Sequence, residues 1–343
     1  MKIAVVGAGA IGGYVGGWLA AAGQDVTFIA RGANLDAIRR NGMRVIGEDN
    51  AEVIGAASAF ETTRDAGPQD FVILAVKAHQ VGAVAGDLSA LCHAGTAIVT
   101  MQNGIPWWYF HKHGGPFEGT PIKSADPDGT IASLIDANRI IGSVVYPAAT
   151  REAPGVVHVV EGKRFTLGEP DGSTSDRVRA ISAAFTGAGF KAPVIADIRS
   201  EIWLKLWGNL SFNPISALTH ATLVGLLTFP STRELSIEMM REAEAVANKL
   251  GVTFRVGIDK RIAGAEKVGE HKTSMLQDME AGRPMEIEAL VGSVVELGRL
   301  TNTPTPHIDA VYALVSLLAR ELAAKGPSVI PRSEATRNLH LAK

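Results

Sequence analysis

A lone cysteine, Cys92, excludes an internal disulfide, and no orienting acid or oxyanion-forming pattern accompanies it, so it reads as a structural thiol rather than a nucleophile. Charge of one sign is also missing. The 33 basic and 35 acidic side chains leave a formal charge of −2, which provides no field to recruit nucleic acid or an anionic membrane. Glycines, charges and prolines interrupt every hydrophobic stretch before it approaches the roughly 20 residues that span a bilayer. The opening Met1-Lys2-Ile3-Ala4-Val5-Val6 has no cleavable-leader pattern. The expectation is a cytoplasmic protein, away from membranes, with a small-molecule role. His79, His93, His111, His113 and His158 lack metal-ligand spacing, so no metal is expected, and the pair His111 and His113 reads as a solvated loop. There is no internal repeat and no low-complexity tract.

What is present is apolar sequence in two rhythms. A chain of 343 residues, 46% hydrophobic, is long enough for two domains. In its first half, short apolar runs at 3–6, 26–30, 71–76 and 97–101 alternate with helix-like segments such as 11–22, the pattern of a parallel sheet wrapped by helices. The runs 156–160 and 164–167, flanking Glu161-Gly162-Lys163, read as a hairpin added to that sheet, and a last short strand is expected at 193–195. Beyond Asp197 the apolar period becomes helical, as in 235–250 and 287–300. The division expected is an α/β domain over 1–196, a mostly helical domain over 197–326 and a solvated tail over 327–343.

The strongest local signal is Gly7-Ala8-Gly9-Ala10-Ile11-Gly12, which follows the first strand directly and opens the first helix. Gly7 permits the tight turn, Gly9 lets the backbone approach a pyrophosphate, and Gly12 allows close helix packing, while the helix N-terminus offers free N–H groups to an anion. This is the fingerprint of a Rossmann-type dinucleotide-binding domain; without that context it would be only a glycine-rich turn. Where an NAD-selective site would place a carboxylate at the end of the second strand, this sequence has Arg31. A guanidinium can pair with a 2′-phosphate, which favours NADP(H), although a turn arginine would look the same. Lys77 follows the 71–76 run at the carboxyl end of the sheet, where position alone allows either a ligand contact or a solvated loop lysine.

Downstream, Glu201, Lys205, Asn209 and Asn213 recur every four residues and form one polar stripe on an otherwise apolar helix expected to start near Ile198 and to end or kink at Pro214. Spacing alone would let that stripe face water. The run Glu201-Ile202-Trp203-Leu204-Lys205-Leu206 with Asn209 and Asn213-Pro214 nevertheless resembles the ketopantoate (2-dehydropantoate 2-) reductase family. So do Ser274-Met275-Leu276-Gln277-Asp278 with Glu286, Val76-Lys77-Ala78 with Gln80, and Gln102-Asn103-Gly104. The matching motifs occur in order across nearly residues 1 to 300.

The resemblance implies NADPH-dependent reduction of a small 2-oxo acid, with Lys205 as proton donor to the keto oxygen. It implies that Gly7 to Gly12, Arg31, Lys77, Asn103, the backbone of Ala149 and Glu286 contact the cofactor. Asn103, Lys205, Asn209, Asn213 and Ser274 would contact the substrate. An ammonium suits the task, because it stabilises charge building on the oxygen and supplies the proton. Two features depart from the family pattern. Residues 106–136 are longer than expected and bring in Trp107-Trp108-Tyr109-Phe110, an insertion able to shape or cover the pocket, or to pack against the other domain or a second subunit. Thr222-Leu223-Val224-Gly225 occupies the region of a further substrate asparagine. Another branched or bulky 2-oxo acid is therefore an alternative substrate, and a non-catalytic NADP(H) sensor is the alternative of another class. The helical half offers apolar faces for a homodimer.

Overall fold

The computed structural model describes residues 1–325; the tail expected over 327–343 lies outside the described residues. The strands are β1 (Lys2–Val6), β2 (Asp25–Ile29), β3 (Met43–Ile46), β4 (Glu52–Gly55), β5 (Ser58–Phe60), β6 (Gln69–Leu74), β7 (Cys92–Thr100), β8 (Ile140–Val145), β9 (Ala148–Ala153), β10 (Val156–Glu161) and β11 (Phe165–Gly168). Seven of them form one sheet in the order β11-β8-β7-β6-β1-β2-β5, parallel except where β11 runs antiparallel to β8. Strand order reverses between β1 and β6, so the crevice at their carboxyl ends is where a ligand belongs in such a sheet.

Alternation along the strands sorts their side chains into two cores. Ala4, Val6, Val72, Leu74, Ile98 and Ile140 face the helical half, while Ile3, Val5, Phe71, Ile73, Val99 and Ile141 face the opposite side. Both faces are covered, which is why the strands read as continuous apolar runs.

The hairpin expected over 156–167 does not form. β10 instead pairs antiparallel with β9 and parallel with β3 in a separate sheet of order β4-β3-β10-β9, and β11 pairs with β8 in the main sheet. The physical cause lies in the first helix, Ala10–Ala21. Its glycines make a flat seat: a Cβ on Gly13 would come within 2.7 Å of Val157, and one on Gly17 within 2.6 Å of Val45. Each mid-helix glycine costs about 1 kcal/mol relative to alanine, and close packing of the small sheet offsets it. The expected strand at 193–195 is reduced to isolated bridges, with Leu167 bonded to the Pro193 carbonyl and Ile195 to the Leu167 carbonyl, both at 2.9 Å.

From Ile198 the described chain is helical, built around the 22-residue helix Ile198–Thr219, whose Trp203 and Trp207 are fully buried. Pro214 lies inside this helix and does not end it. Proline in a helix costs about 3 kcal/mol. Burial of Leu210, Phe212 and Ile215 around it contributes roughly 1.5–3 kcal/mol per side chain. No helix among the described residues is long and apolar enough to cross a membrane.

The aromatic insertion is a strut between the halves. Trp108, Tyr109 and Phe110 are buried, the Trp203 indole donates to the Tyr109 hydroxyl at 2.8 Å, and Arg199 donates to the carbonyls of Tyr109, Pro170 and His111. Glu296 accepts from the backbone of Lys123 and Ser124. His111 and His113 lie in a loop and are partly exposed, with His113 packed edge-on to Phe110 and His111 Nε2 buried.

Candidate active site

The fingerprint turn has the local geometry its glycines suggest. Gly7 sits at φ +102°, where a Cβ would press within 2.8 Å of Val76 N, and a Cβ on Gly12 would overlap the Gly7 carbonyl. Gly9 differs, since a Cβ there meets nothing within 4 Å. The backbone is therefore open to a ligand at Gly9 and closed around it, at the head of the Ala10–Ala21 helix. Asn34 fastens the turn from outside, donating to the Ala8 carbonyl and accepting from Gly155 N, each at 2.8 Å. Arg31 begins the Gly32–Asn41 helix with an exposed side chain that makes no capping bond. These features suit a dinucleotide with its pyrophosphate at Gly9 and an anionic group near Arg31.

Lys77 and Asn103 lie just beyond β6 and β7, and each is tied to the helical half. Lys77 forms an ion pair with the buried Asp278, which also accepts from Arg283 at 2.9 Å. In the sequence Asp278 is only the end of the Ser274-to-Asp278 run; its role as a link between the halves comes from a pairing 201 residues apart, which spacing cannot reveal. Gln102 donates to the carbonyls of Leu74 and Val76, closing the end of β6. Gly104, at φ +85°, lies so close to the Ala289 carbonyl that a Cβ would overlap it, and Ile105 N bonds that same carbonyl at 3.1 Å. The carbonyl is available because Glu288–Gly292 is a π-turn, in which Ser293 N bonds Glu288 rather than Ala289.

Asn103 thereby stands between two charged side chains from the helical half. Its Oδ1 accepts from Lys205 Nζ at 2.6 Å, and its Nδ2 donates to Glu286 at 3.5 Å. Lys205 Nζ also donates to the Val145 carbonyl at the end of β8, and Glu286 accepts from Ala78 N at 3.1 Å. Burial pulls the Lys205 ammonium down to about 8, against the opposing attraction of Glu286. Glu288, two residues on, instead accepts from Tyr312.

The polar stripe divides by function. Glu201 is buried and neutralised away from Lys205, accepting from Tyr146 at 2.8 Å and pairing with Arg255 at 2.7 Å. Asn209 lines a cavity with Lys205, Asn103, Thr100, Ser143 and Trp108. Asn213 donates to Ser274 at 3.4 Å. Ala149 is carried on the edge strand β9, opposite Val159. No cluster of metal-ligating side chains occurs among the described residues. Cys92 bonds the Leu88 carbonyl, and burial raises its thiol, as a structural cysteine requires.

A glycine-lined turn at the reversal point of a parallel sheet, facing a half-buried lysine from a helical half, is the layout of a dinucleotide-dependent oxidoreductase. The chain belongs to the ketopantoate reductase family. Residues 3–113 match the model described as ketopantoate reductase PanE/ApbA, and residues 197–319 match its C-terminal counterpart. A 2-dehydropantoate 2-reductase of Mesorhizobium japonicum is 55% identical over 322 residues, covering 94% of this chain and 98% of that protein. Among solved structures, a chain assigned as a ketopantoate reductase from Ralstonia solanacearum is 39% identical, with a TM-score of 0.89 over 93% of this chain and 98% of its own. The 2-dehydropantoate 2-reductase of Geobacter metallireducens is 28% identical, with a TM-score of 0.81 over 93% of this chain and all (100%) of its own.

Proposed function

We propose that this protein reduces 2-dehydropantoate (ketopantoate) to pantoate with NADPH, using Lys205 as proton donor. The observation that carries the reading is the Lys205–Asn103–Glu286 arrangement, joined across the two halves beside the fingerprint turn. Bound at Gly7 to Gly12, Arg31 and Lys77, the dinucleotide supplies the hydride. As the carbonyl carbon is reduced, negative charge builds on its oxygen, which the Lys205 ammonium stabilises and then protonates. Asn103 and the Val145 carbonyl fix the ammonium in place, which favours a single productive geometry. In this reading Asn209, Asn213 and Ser274 hold the substrate, while Glu286 and the backbone of Ala149 approach the nicotinamide side. The division into a cofactor domain over 1–196 and a catalytic domain over 197–326 is part of the same proposal.

A second reading, turnover of a bulkier 2-oxo acid, is favoured by one feature: Trp108 from the insertion lines the cavity beside Lys205 and Asn209. The test is NADPH oxidation followed by absorbance with ketopantoate, 2-oxoisovalerate and larger 2-oxo acids, each repeated with NADH. NADPH-specific turnover that is fastest with ketopantoate is the expected result. Faster turnover of a larger acid supports the second reading, and no turnover of any 2-oxo acid contradicts both.

A further inference from the structure

Arg261, in the helix Ile258–Glu266, has no place in the motifs above, yet its guanidinium is packed against the helix that carries Lys205. It lies over Gly208, where a Cβ would overlap Nη2 and stand 3.0 Å from Cζ. Glycine costs about 1 kcal/mol in a helix interior, and here it opens the space that the guanidinium occupies. Arg261 Nε is buried and meets no partner among the described residues.

The neighbouring charges do not neutralise it. Glu201 is engaged by Arg255 at 2.7 Å and faces Arg164 at 3.6 Å. Among the described groups only the Tyr146 hydroxyl offsets the burial that lowers the Arg261 guanidinium, and Arg261 in turn acts on Lys205 against Glu286. An arginine cannot shed its proton to relieve this situation, so a half-buried guanidinium whose Nε finds no acceptor favours a bound anion. Two cations, Lys205 and Arg261, thus stand at one turn of the same helix, and Glu286 is the carboxylate that offsets Lys205.

We propose that Arg261 is the carboxylate anchor of this site, receiving the acid group of the substrate on its planar fork while Lys205 faces the adjacent keto oxygen. The assignment rests on the 2-oxo acid reading above and adds to it the group that selects acids over neutral ketones. Its geometry matches the substrate class. In a 2-oxo acid the two oxygen-bearing groups sit on adjacent carbons, and Lys205 and Gly208 lie one helical turn apart, roughly 4.5 Å along the axis. Carboxylate and guanidinium pair bidentately through charge-assisted bonds, which a lysine or an amide at this position would not reproduce.

The test compares ketopantoate with its lactone, which keeps the keto group but has no free carboxylate, in the wild type and in Arg261→Leu, Arg261→Gln and Arg261→Lys. The expected result is a wild type that prefers the acid in kcat/KM, and a preference that falls on the order of 100-fold in Arg261→Leu and Arg261→Gln. Most of the loss lies in KM, with partial recovery in Arg261→Lys. An unchanged acid-to-lactone ratio, or equal loss on both compounds, overturns the assignment, the second because it marks a purely structural arginine. Should the wild type turn over no 2-oxo acid, the reductase reading fails, and calorimetric titration of the protein with oxamate in the presence of NADPH judges Arg261 separately. Oxamate binding that the Gln variant loses supports the anchor; binding equal in both, or absent from the wild type, overturns it.

Discussion

Asn103 Oδ1 accepts from Lys205 Nζ at 2.6 Å across 102 residues of sequence, and the contact joins the sheet half to the helical half at the point where the proposed chemistry occurs. Its position follows from backbone structure on both sides. Gly104 allows the loop after β7 to press against Ala289, and the π-turn at Glu288–Gly292 takes the Ser293 N–H away from the Ala289 carbonyl, which receives Ile105 N alongside the Ser293 hydroxyl. A distortion in one helix therefore helps to place an amide in front of an ammonium carried by another.

The lysine sets a pH dependence whose sign is fixed by the proposed role. Burial holds Lys205 near 8, and reduction requires the protonated form. In the reducing direction kcat/KM should be level at lower pH and fall as pH rises through about 8, approaching tenfold per unit. Oxidation of pantoate needs the neutral amine, so it should rise through the same region. Steady-state rates in both directions read this directly, and a reduction rate that climbs with pH would contradict the assignment.

Arg31 offers a separate test of cofactor choice. Its side chain is exposed at the carboxyl end of β2 and makes no cap bond, leaving it available to a 2′-phosphate. Arg31→Ala should weaken NADPH binding by about 10- to 100-fold, the range for loss of a charged hydrogen bond, while NADH binding changes little. Fluorescence titration with both dinucleotides measures the difference, and equal losses for the two would count against the phosphate contact.

Two glycines of the fingerprint should respond in opposite ways. A Cβ at Gly12 overlaps the Gly7 carbonyl, so Gly12→Ala should cost about 1–3 kcal/mol of stability in urea denaturation. Gly9 has a negative φ of −80° and open space around its missing Cβ. Gly9→Ala should leave denaturation nearly unchanged yet weaken NADPH by about tenfold or more, equivalent to about 1.4 kcal/mol. Unaltered NADPH affinity in Gly9→Ala would place the pyrophosphate elsewhere.

The main sheet was legible because its buried strands are short apolar runs separated by helical segments, and the glycine fingerprint sits directly on one of them. The small sheet was not. β3 and β4 are only four residues each and carry exposed Arg44 and Glu52, and β3 finds β10 more than 100 residues away. The glycines of the first helix signalled close packing without saying what would approach. Family motifs supplied Lys205, Asn103 and Glu286, and the structure brings them together. Neither Asp278 nor Arg261 has a role legible in the sequence, since an ion pair with Lys77 and a guanidinium packed over Gly208 arise only from tertiary packing. Of the two outcomes local preference allowed at Pro214, an end or a kink, the helix end does not occur, and burial on both sides carries the helix past it.

The most direct test of the account is NADPH-dependent turnover of ketopantoate by the wild type and Lys205→Ala, measured together with NADPH affinity. The account predicts a loss in kcat of about 10²- to 10⁴-fold with NADPH affinity held within about threefold, as expected for removal of a general acid. Equal turnover by the two proteins would remove Lys205 from the reaction and contradict the proposed mechanism.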